Sequence, residues 1–264
     1  MIIRQGHISQ WTTAARFREM YNLKDYTDPR EPLVVFGVYE PFLIARHRAP
    51  IVLVWCGNDT KIFNNWGKEL KHTGFSHKQL TDAVKKNNVI NVTALPKAKE
   101  YLESLGVECK LIRRITDEKP VAQECGNKIY TYLNKNKPQY HGSEIIEDLN
   151  TEYEIMTGDF SISPEEWKAG RCEEFYKDAF IGLFLSDYCG GGGSIIEMGL
   201  RGKRCVTNVF NYSHCIPWRD KRDIEKAIKR EAGRIGKKDR RLAEKVYSEL
   251  LPPQDGFDLE KNLI

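Results

Sequence analysis

The fold is decided by residues 180–206, which read FIGLFLSDYCGGGGSIIEMGLRGKRCV. They begin with an apolar run at 180–185, which is typical of a strand covered on both faces of a parallel sheet. Four glycines follow at 190–193, and a segment with helical spacing then opens at Ser194. A second strand-like run at 204–207 completes the unit. The order strand, loop, helix, strand predicts an α/β layer.

The same alternation extends in both directions from this stretch. Further strands are predicted at 33–38, 51–55, 89–92, 107–112, 128–133 and 153–156. Helices are predicted at 76–84, 96–105, 143–149 and from Ser163, and a long helix at 219–250 is interrupted near 233–236. The charged stretch at 113–127 has no clear period, and we interpret it as a linker.

Two α/β units on either side of a linker predict two Rossmann-like domains that face a cleft. Ligands of open α/β sheets bind at the carboxyl ends of the strands, so the cleft is the expected site. We assign residues 1–118 to an N-terminal domain and 119–218 to a second domain. Residues 219–264 are assigned to a long C-terminal helix that packs back across the domains.

Composition excludes several classes of protein. The 264 residues are 41% hydrophobic and 30% charged, and their mean hydropathy is −0.54. These values exclude a disordered polymer and a membrane bundle, and no signal-peptide pattern is visible at the N-terminus. The seven cysteines form no C-x-x-C motif and the six histidines form no metal-binding pair. We therefore expect reduced thiols, no zinc site and a cytoplasmic location.

The basic residues are concentrated near the C-terminus. Residues 219–245 contain twelve Lys or Arg against six Asp or Glu, within a chain whose net charge is only +4. One interpretation is a solvated helix face with i,i+4 ion pairs such as Glu225 with Lys229. The other is a weak contact with phosphate or an anionic surface.

The glycine run is the strongest chemical signal in the sequence. Glycines allow a backbone to approach a ligand closely, and the free N–H groups of a helix start favour a phosphate. The alternative for the glycines is a flexible turn. Glu197 is open to two interpretations, because Ser194-x-x-Glu197 fits a capping box and its carboxylate could also accept hydrogen bonds from sugar hydroxyls.

This pattern resembles the donor half of GT-B glycosyltransferases, which transfer a sugar from a nucleotide-sugar donor. In many of them an acidic residue and a Gly-containing loop precede a second Glu, eight positions on, and the helix opened there ends at Gly before a strand. Glu197 and Gly202 match the second acid and the helix end. Cys189 stands where the first acid is expected, with Asp187 two residues out of register.

The resemblance extends upstream and implies further donor contacts. The strand at 128–133 and the basic loop after it are similar to the first strand of the family's donor domain and the loop that neutralises the diphosphate. The implied donor-binding residues are Lys135, Lys137, Tyr140, His141, Asp159, Phe160, Gly190, Gly191, Gly192, Gly193 and Ser194. Residues 1–30 lack the family's Gly-rich loop, so the N-terminal domain is short or atypical.

The resemblance implies hexosyl or pentosyl transfer from a nucleotide-diphosphate sugar to a hydroxyl of a saccharide acceptor. No D-x-D triplet is present, so no metal or other cofactor is expected, and no nucleic acid partner is expected. An inverting enzyme needs a base from the N-terminal domain. Asp59 follows an apolar strand and is our candidate alongside Glu197, and its alternative is an Asx-type turn.

Two other functions remain open at this stage. The chain could be a sugar-nucleotide epimerase or hydrolase of the same fold group. It could also be an inactive nucleotide- or nucleic-acid-binding relative, in which Cys189 marks lost catalysis and the basic stretch at 219–245 serves binding. His214, which follows the last predicted strand, is a weaker candidate for ligand contact.

Overall fold

A computed structural model describes residues 4–5, 23–26, 28–56, 59–60, 63, 75–112, 119–133, 138–158, 171–186 and 192–250. The described residues up to 112 belong to one compact unit, and those from 119 to 250 belong to a second. The predicted segments at Ser163 and at 251–264 lie outside these ranges. None of the described helices is long and apolar enough to cross a membrane.

The first unit is built on a parallel sheet. Its strands are β1 (Arg4–Gln5), β2 (Lys24–Asp25), β3 (Leu33–Phe36), β4 (Ile51–Trp55), β5 (Val89–Thr93) and β6 (Lys110–Leu111). They lie in the order β2-β1-β3-β4-β5-β6, and every pair is parallel. Leu33 and Leu53 pack in one core cluster, while Val34 and Val52 pack in another. Both faces of the sheet are therefore covered, which explains why β3 and β4 are continuously apolar.

Helices cover this first sheet. They are α1 (Pro41–Arg46), α2 (His77–Val84) and α3 (Pro96–Ser104). The predicted capping box of α2 is confirmed: the Ser76 hydroxyl accepts from the Gln79 backbone N–H at 3.2 Å, and the Ser76 N–H donates to the Gln79 side chain at 2.8 Å. These two bonds satisfy donors that a helix start would otherwise leave open.

The second unit is built on another parallel sheet. Its strands are β7 (Lys128–Tyr132), β8 (Ile155–Gly158), β9 (Ala179–Phe184), β10 (Arg204–Thr207) and β11 (Cys215–Ile216), in the order β11-β10-β9-β7-β8. Its helices are α4 (Ser143–Glu147), α5 (Arg171–Asp178), α6 (Gly192–Leu200), α7 (Lys221–Ala232) and α8 (Arg240–Leu250), with a 3-10 helix at Pro138–His141. Because α6 follows the central strand β9, its N-terminus lies at the carboxyl edge of this sheet.

The interpretation of residues 113–127 as a linker is wrong for residues 119–127. Residues 119–127 belong to the second unit, where the backbone N–H of Val121 donates to the Leu200 carbonyl and that of Gln123 to the Arg201 carbonyl, both at 3.0 Å. The Cys125 N–H donates to the Lys237 carbonyl at 3.0 Å. These bonds hold the segment against the second unit, although its sequence is charged and has no period.

The predicted break in the C-terminal helix is confirmed, because α7 ends at Ala232 and α8 begins at Arg240. The apolar face of α7 packs on the core that contains β7 and β9, and α8 packs against α6. Glu225 pairs with Lys221, at 3.9 Å, rather than with the predicted Lys229. Both helices are parts of the second unit.

Candidate functional site

The start of helix α6 brings two predicted site residues into the interior of the second unit. Ser194 is 5% exposed and Glu197 is 3% exposed. Gly192 and Gly193 form the first turn of the helix, while Gly190 and Gly191 lie outside the described residues. Because α6 begins two residues before Ser194, this serine is a helical residue rather than an N-cap. The capping-box interpretation of Glu197 therefore does not match the structure.

A buried tyrosine joins these two side chains. The Tyr176 hydroxyl, from α5, donates to Oε2 of Glu197 at 2.5 Å, and the Ser194 side chain hydrogen-bonds the same hydroxyl. Burial, followed by the nearby Glu197 carboxylate, raises the pKa of Tyr176 well above its ordinary value. The phenol therefore stays protonated and keeps its role as donor to the carboxylate.

An arginine encloses the tyrosine from one side. The Arg201 guanidinium lies 4.8 Å from the Tyr176 ring centroid, and its Nη1 donates to the Glu197 carbonyl at 2.9 Å. Its Nη2 and Nε donate to the Glu173 carboxylate at 2.5 and 3.1 Å. Burial opposes ionisation of Glu173, but the bonds from Arg201 and Gln123 outweigh it and lower the pKa of Glu173. A forked ion pair of this kind fixes orientation as well as charge.

A buried lysine fixes the end of α5. Lys203 is fully buried, and its Nζ donates to the carbonyls of Tyr176, of Lys177 at 3.1 Å and of Ala179 at 2.8 Å. The last carbonyls of a helix lack intrahelical partners, and a cation satisfies them. Burial lowers the pKa of Lys203 to about 8. Lys203 thereby holds the backbone of Tyr176 in place.

The turn after β7 approaches the same edge of the sheet. Tyr140 and His141 lie in the 3-10 helix, and the His141 ring packs edge-to-face on Tyr132 with centroids 5.3 Å apart. Burial lowers the pKa of His141, so its ring is neutral at pH 7. Gly142 has φ +75°, and a Cβ there would lie 2.8 Å from the Leu185 side chain. The turn at 141–142 thus contacts the chain directly after β9.

Four other predicted donor-binding residues lie outside the described ranges. They are Lys135, Lys137, Asp159 and Phe160. Their roles stay predictions. Among the side chains that the structure describes, no group of three or more His, Cys, Asp or Glu is arranged to hold a metal ion.

Asp59, the candidate base of the first unit, is fully buried. Its carboxylate accepts the Cys56 backbone N–H at 2.9 and 3.0 Å and the Thr60 N–H at 3.1 Å. A Cβ on Gly37 would come within 3.2 Å of the same carboxylate. This placement matches the turn interpretation, because backbone donors occupy both oxygens after the end of β4.

We expect Asp59→Asn to lower the free energy of unfolding by about 1.5 kcal/mol, because an amide cannot accept N–H bonds on both of its terminal atoms. Turnover measured below the melting temperature should stay within twofold of that of the wild type. Urea unfolding measures the expected loss of stability, and initial rates measure the expected turnover. A turnover loss of 100-fold or more without loss of stability would instead identify Asp59 as the base.

His214, the weaker candidate for ligand contact, is a core residue. It is fully buried, and its Nε2 bonds the Ile195 carbonyl at 2.9 Å. A Cβ on Gly199 would lie 2.8 Å from the imidazole, so the ring packs directly on helix α6. This burial favours a packing role for His214 over contact with a ligand.

The sequence analysis did not identify Tyr176, Arg201 or Lys203 as parts of the site. Tyr176 stands in a polar helix whose sequence carries no motif. Arg201 and Lys203 flank Gly202 in a stretch that looks like a solvated helix end. One usable signal was present, because a lysine directly before a buried strand must either reach solvent or find buried acceptors.

Solved structures of TarM are similar to this chain. A mutant of S. aureus TarM, in complex with Fondaparinux, alpha-GlcNAc-glycerol and UDP, aligns with a TM-score of 0.48 and 12% identity over 83% of this chain and 51% of that chain. Another TarM structure aligns with a TM-score of 0.43 and 12% identity over 88% of this chain and 51% of that chain. The chain thus spans about half the length of these structures. No protein-family model and no curated protein matches the sequence.

Proposed function

We propose that the chain is a glycosyltransferase of the GT-B class, which transfers a sugar from a nucleotide-diphosphate sugar to a hydroxyl of a saccharide acceptor. The observation that carries this proposal is the placement of Ser194 and Glu197 at the start of α6. That helix follows the central strand of a parallel sheet, where ligands of open α/β sheets bind. A helix start favours phosphate, and a fixed carboxylate favours sugar hydroxyls.

The proposed reaction breaks the bond between the sugar C1 and the diphosphate oxygen and forms a bond from C1 to the acceptor oxygen. The departing diphosphate keeps the electron pair, and the acceptor's proton leaves to a base or to the diphosphate. Backbone N–H groups at Gly192 and Gly193, together with Lys135 and Lys137, stabilise the charge that develops on the leaving oxygen. Glu197 holds donor hydroxyls, and no metal is required.

A thermal-shift panel tests the proposal. UDP, GDP, ADP, CDP, dTDP and their sugar conjugates are added separately, with and without EDTA. A ligand selective for the folded state raises the melting temperature, and at 100 times its dissociation constant it adds about 2.7 kcal/mol of stability. The proposal predicts a shift for at least one nucleoside diphosphate that EDTA does not remove. A flat response across the whole panel would contradict it.

Salt dependence separates this function from nucleic-acid binding by the basic stretch. Arg222, Lys226 and Lys229 are exposed along one face of α7. A polyanion bound there by several contacts would lose roughly a thousandfold in affinity between 50 and 200 mM salt. A nucleoside diphosphate bound at α6 is expected to lose far less. Binding of a labelled oligonucleotide and of the selected diphosphate, each at both salt concentrations, gives the comparison.

Lys135→Ala and Lys137→Ala should each weaken nucleoside diphosphate binding about tenfold, the equivalent of one charge-assisted phosphate contact. Isothermal titration with the diphosphate selected by the panel measures the effect. Lys226→Ala, which removes an exposed lysine from α7, is the matched control and should bind as the wild type does. Unchanged affinity in both loop variants would remove these lysines from the site.

A further inference from the structure

We infer that Tyr176 is the positioning residue for the Glu197 carboxylate, which it holds in one orientation toward the hydroxyls of a bound nucleotide or sugar. This inference rests on the proposed function and extends it to a residue outside the glycine-loop pattern. Tyr176 lies on α5, so it approaches Glu197 from a different element than the one that carries the carboxylate. Its action is on Glu197 rather than on the ligand.

The contact between the two side chains is short and buried. The Tyr176 hydroxyl lies 2.5 Å from Oε2 of Glu197, which is the range of an O–H donor on an ionised carboxylate. Tyr176 is 1% exposed and Glu197 is 3% exposed. In such surroundings a hydrogen bond to a charged group is stronger than in water. The bond therefore restricts rotation of the Glu197 carboxylate.

At the Tyr176 hydroxyl, one hydrogen bond is accepted and one is donated. The Ser194 hydroxyl donates to the Tyr176 oxygen, and the Tyr176 hydroxyl donates to Glu197. An ionised carboxylate is only an acceptor, so the order cannot reverse while Glu197 is charged. Ser194 lies one turn before Glu197 on α6. The tyrosine thus bridges the side chains of two residues at the helix start.

Tyr176 is itself immobilised on several sides. Lys203 bonds its carbonyl, the Arg201 guanidinium lies over its ring, and Tyr130 packs edge-to-face at 5.4 Å. None of these three contacts uses the hydroxyl. A phenylalanine at this position would keep all of them, so Tyr176→Phe removes the positioning bond and leaves the packing of α5. A site on locked side chains is more precise than one on mobile loops.

Binding of two probes separates positioning from general damage. The probes are inorganic pyrophosphate, which has no hydroxyls for Glu197 to accept from, and UDP or the tighter-binding diphosphate of the panel, which has ribose hydroxyls. Tyr176→Phe should weaken diphosphate binding about tenfold, as for one oriented hydrogen bond to a charged group, and change pyrophosphate binding less than twofold. Tyr153→Phe is the control, because its half-buried ring packs on Phe180 in the same unit.

A double-mutant cycle completes the test. In a Glu197→Gln background, Tyr176→Phe should cost less than threefold in diphosphate affinity, because the bond that it then removes is to a neutral amide and is weaker than one to a carboxylate. An equal loss for pyrophosphate and diphosphate, or a full tenfold loss in the Gln background, would overturn the inference. If the wild type binds no member of the panel, the proposed function falls and the inference falls with it. If the wild type binds and Tyr176→Phe binds equally well, only the positioning role is refuted.

Discussion

Glu197→Gln is expected to lower turnover of the nucleotide sugar about 100-fold, the usual effect of removing one preorganised polar group from an active site. The amide has nearly the shape of the carboxylate, and its oxygen can still accept the Tyr176 hydroxyl, so the contact at 2.5 Å is kept in outline. What is lost is the negative charge and one acceptor. The hydroxyls of the nucleotide sugar then donate to a weaker acceptor, while the fold is retained.

Initial rates at saturating donor measure this effect, with the donor chosen by the thermal-shift panel. Glu231→Gln is the control, because Glu231 is another buried carboxylate of the same unit, 1% exposed and bonded to Arg230 on α7 and to Arg234 just after that helix. That variant should lose stability and retain turnover. Wild-type turnover in Glu197→Gln would remove this carboxylate from the chemistry. Equal losses of turnover in both variants would indicate a general effect of burying an amide.

The sequence predicted the sheets well where strands are long and covered on both faces. The ends of β4 and β10 are as expected, because turn residues precede and follow each run. The two-residue strands β1, β2 and β11 were not predicted, since two residues display no period. Helix α5 lies after the helix start predicted at Ser163, but its bounds were not predicted, because its sequence is mostly polar and its packing depends on distant residues.

Prediction of the site followed the same division between local and distant contacts. Ser194 and Glu197 were found because their spacing along one helix start is a local pattern. Tyr176 stands 21 positions before Glu197, and Lys203 reaches a carbonyl 27 positions away. Such partners are set by how α5 packs on β7 and β8 and how β10 pairs with β9, which no short motif records. Burial of Asp59 and His214 was equally hidden, because a polar residue that follows a strand can lie either at an open edge or in a buried turn.

Acid should destabilise the protein through His214, by about 3 kcal/mol between pH 6.5 and pH 4. Burial of the ring lowers the pKa of His214 to about 4, from 6.5, although the bond to the Ile195 carbonyl and the charge of Glu249 oppose the shift and Arg204 adds to it. Between these pH values the His214 imidazole binds a proton in the unfolded chain but not in the folded protein. Stability is therefore complete above pH 6.5 and falls as the pH falls toward 4.

The variant His214→Gln isolates this contribution, because its amide can still donate to the Ile195 carbonyl but does not titrate. Urea unfolding of both proteins at pH 7, 5.5 and 4.5 gives the difference between their free energies of unfolding. The contributions of the titrating carboxylates are the same in both proteins and cancel in this difference. The wild type should lose stability faster than the variant over this range. An NMR titration of the His214 ring provides a second readout if the variant folds poorly, and a midpoint near 6.5 there would contradict the prediction. The physical reason is that helix α6 closes on the ring at Gly199, leaving a new charge without water.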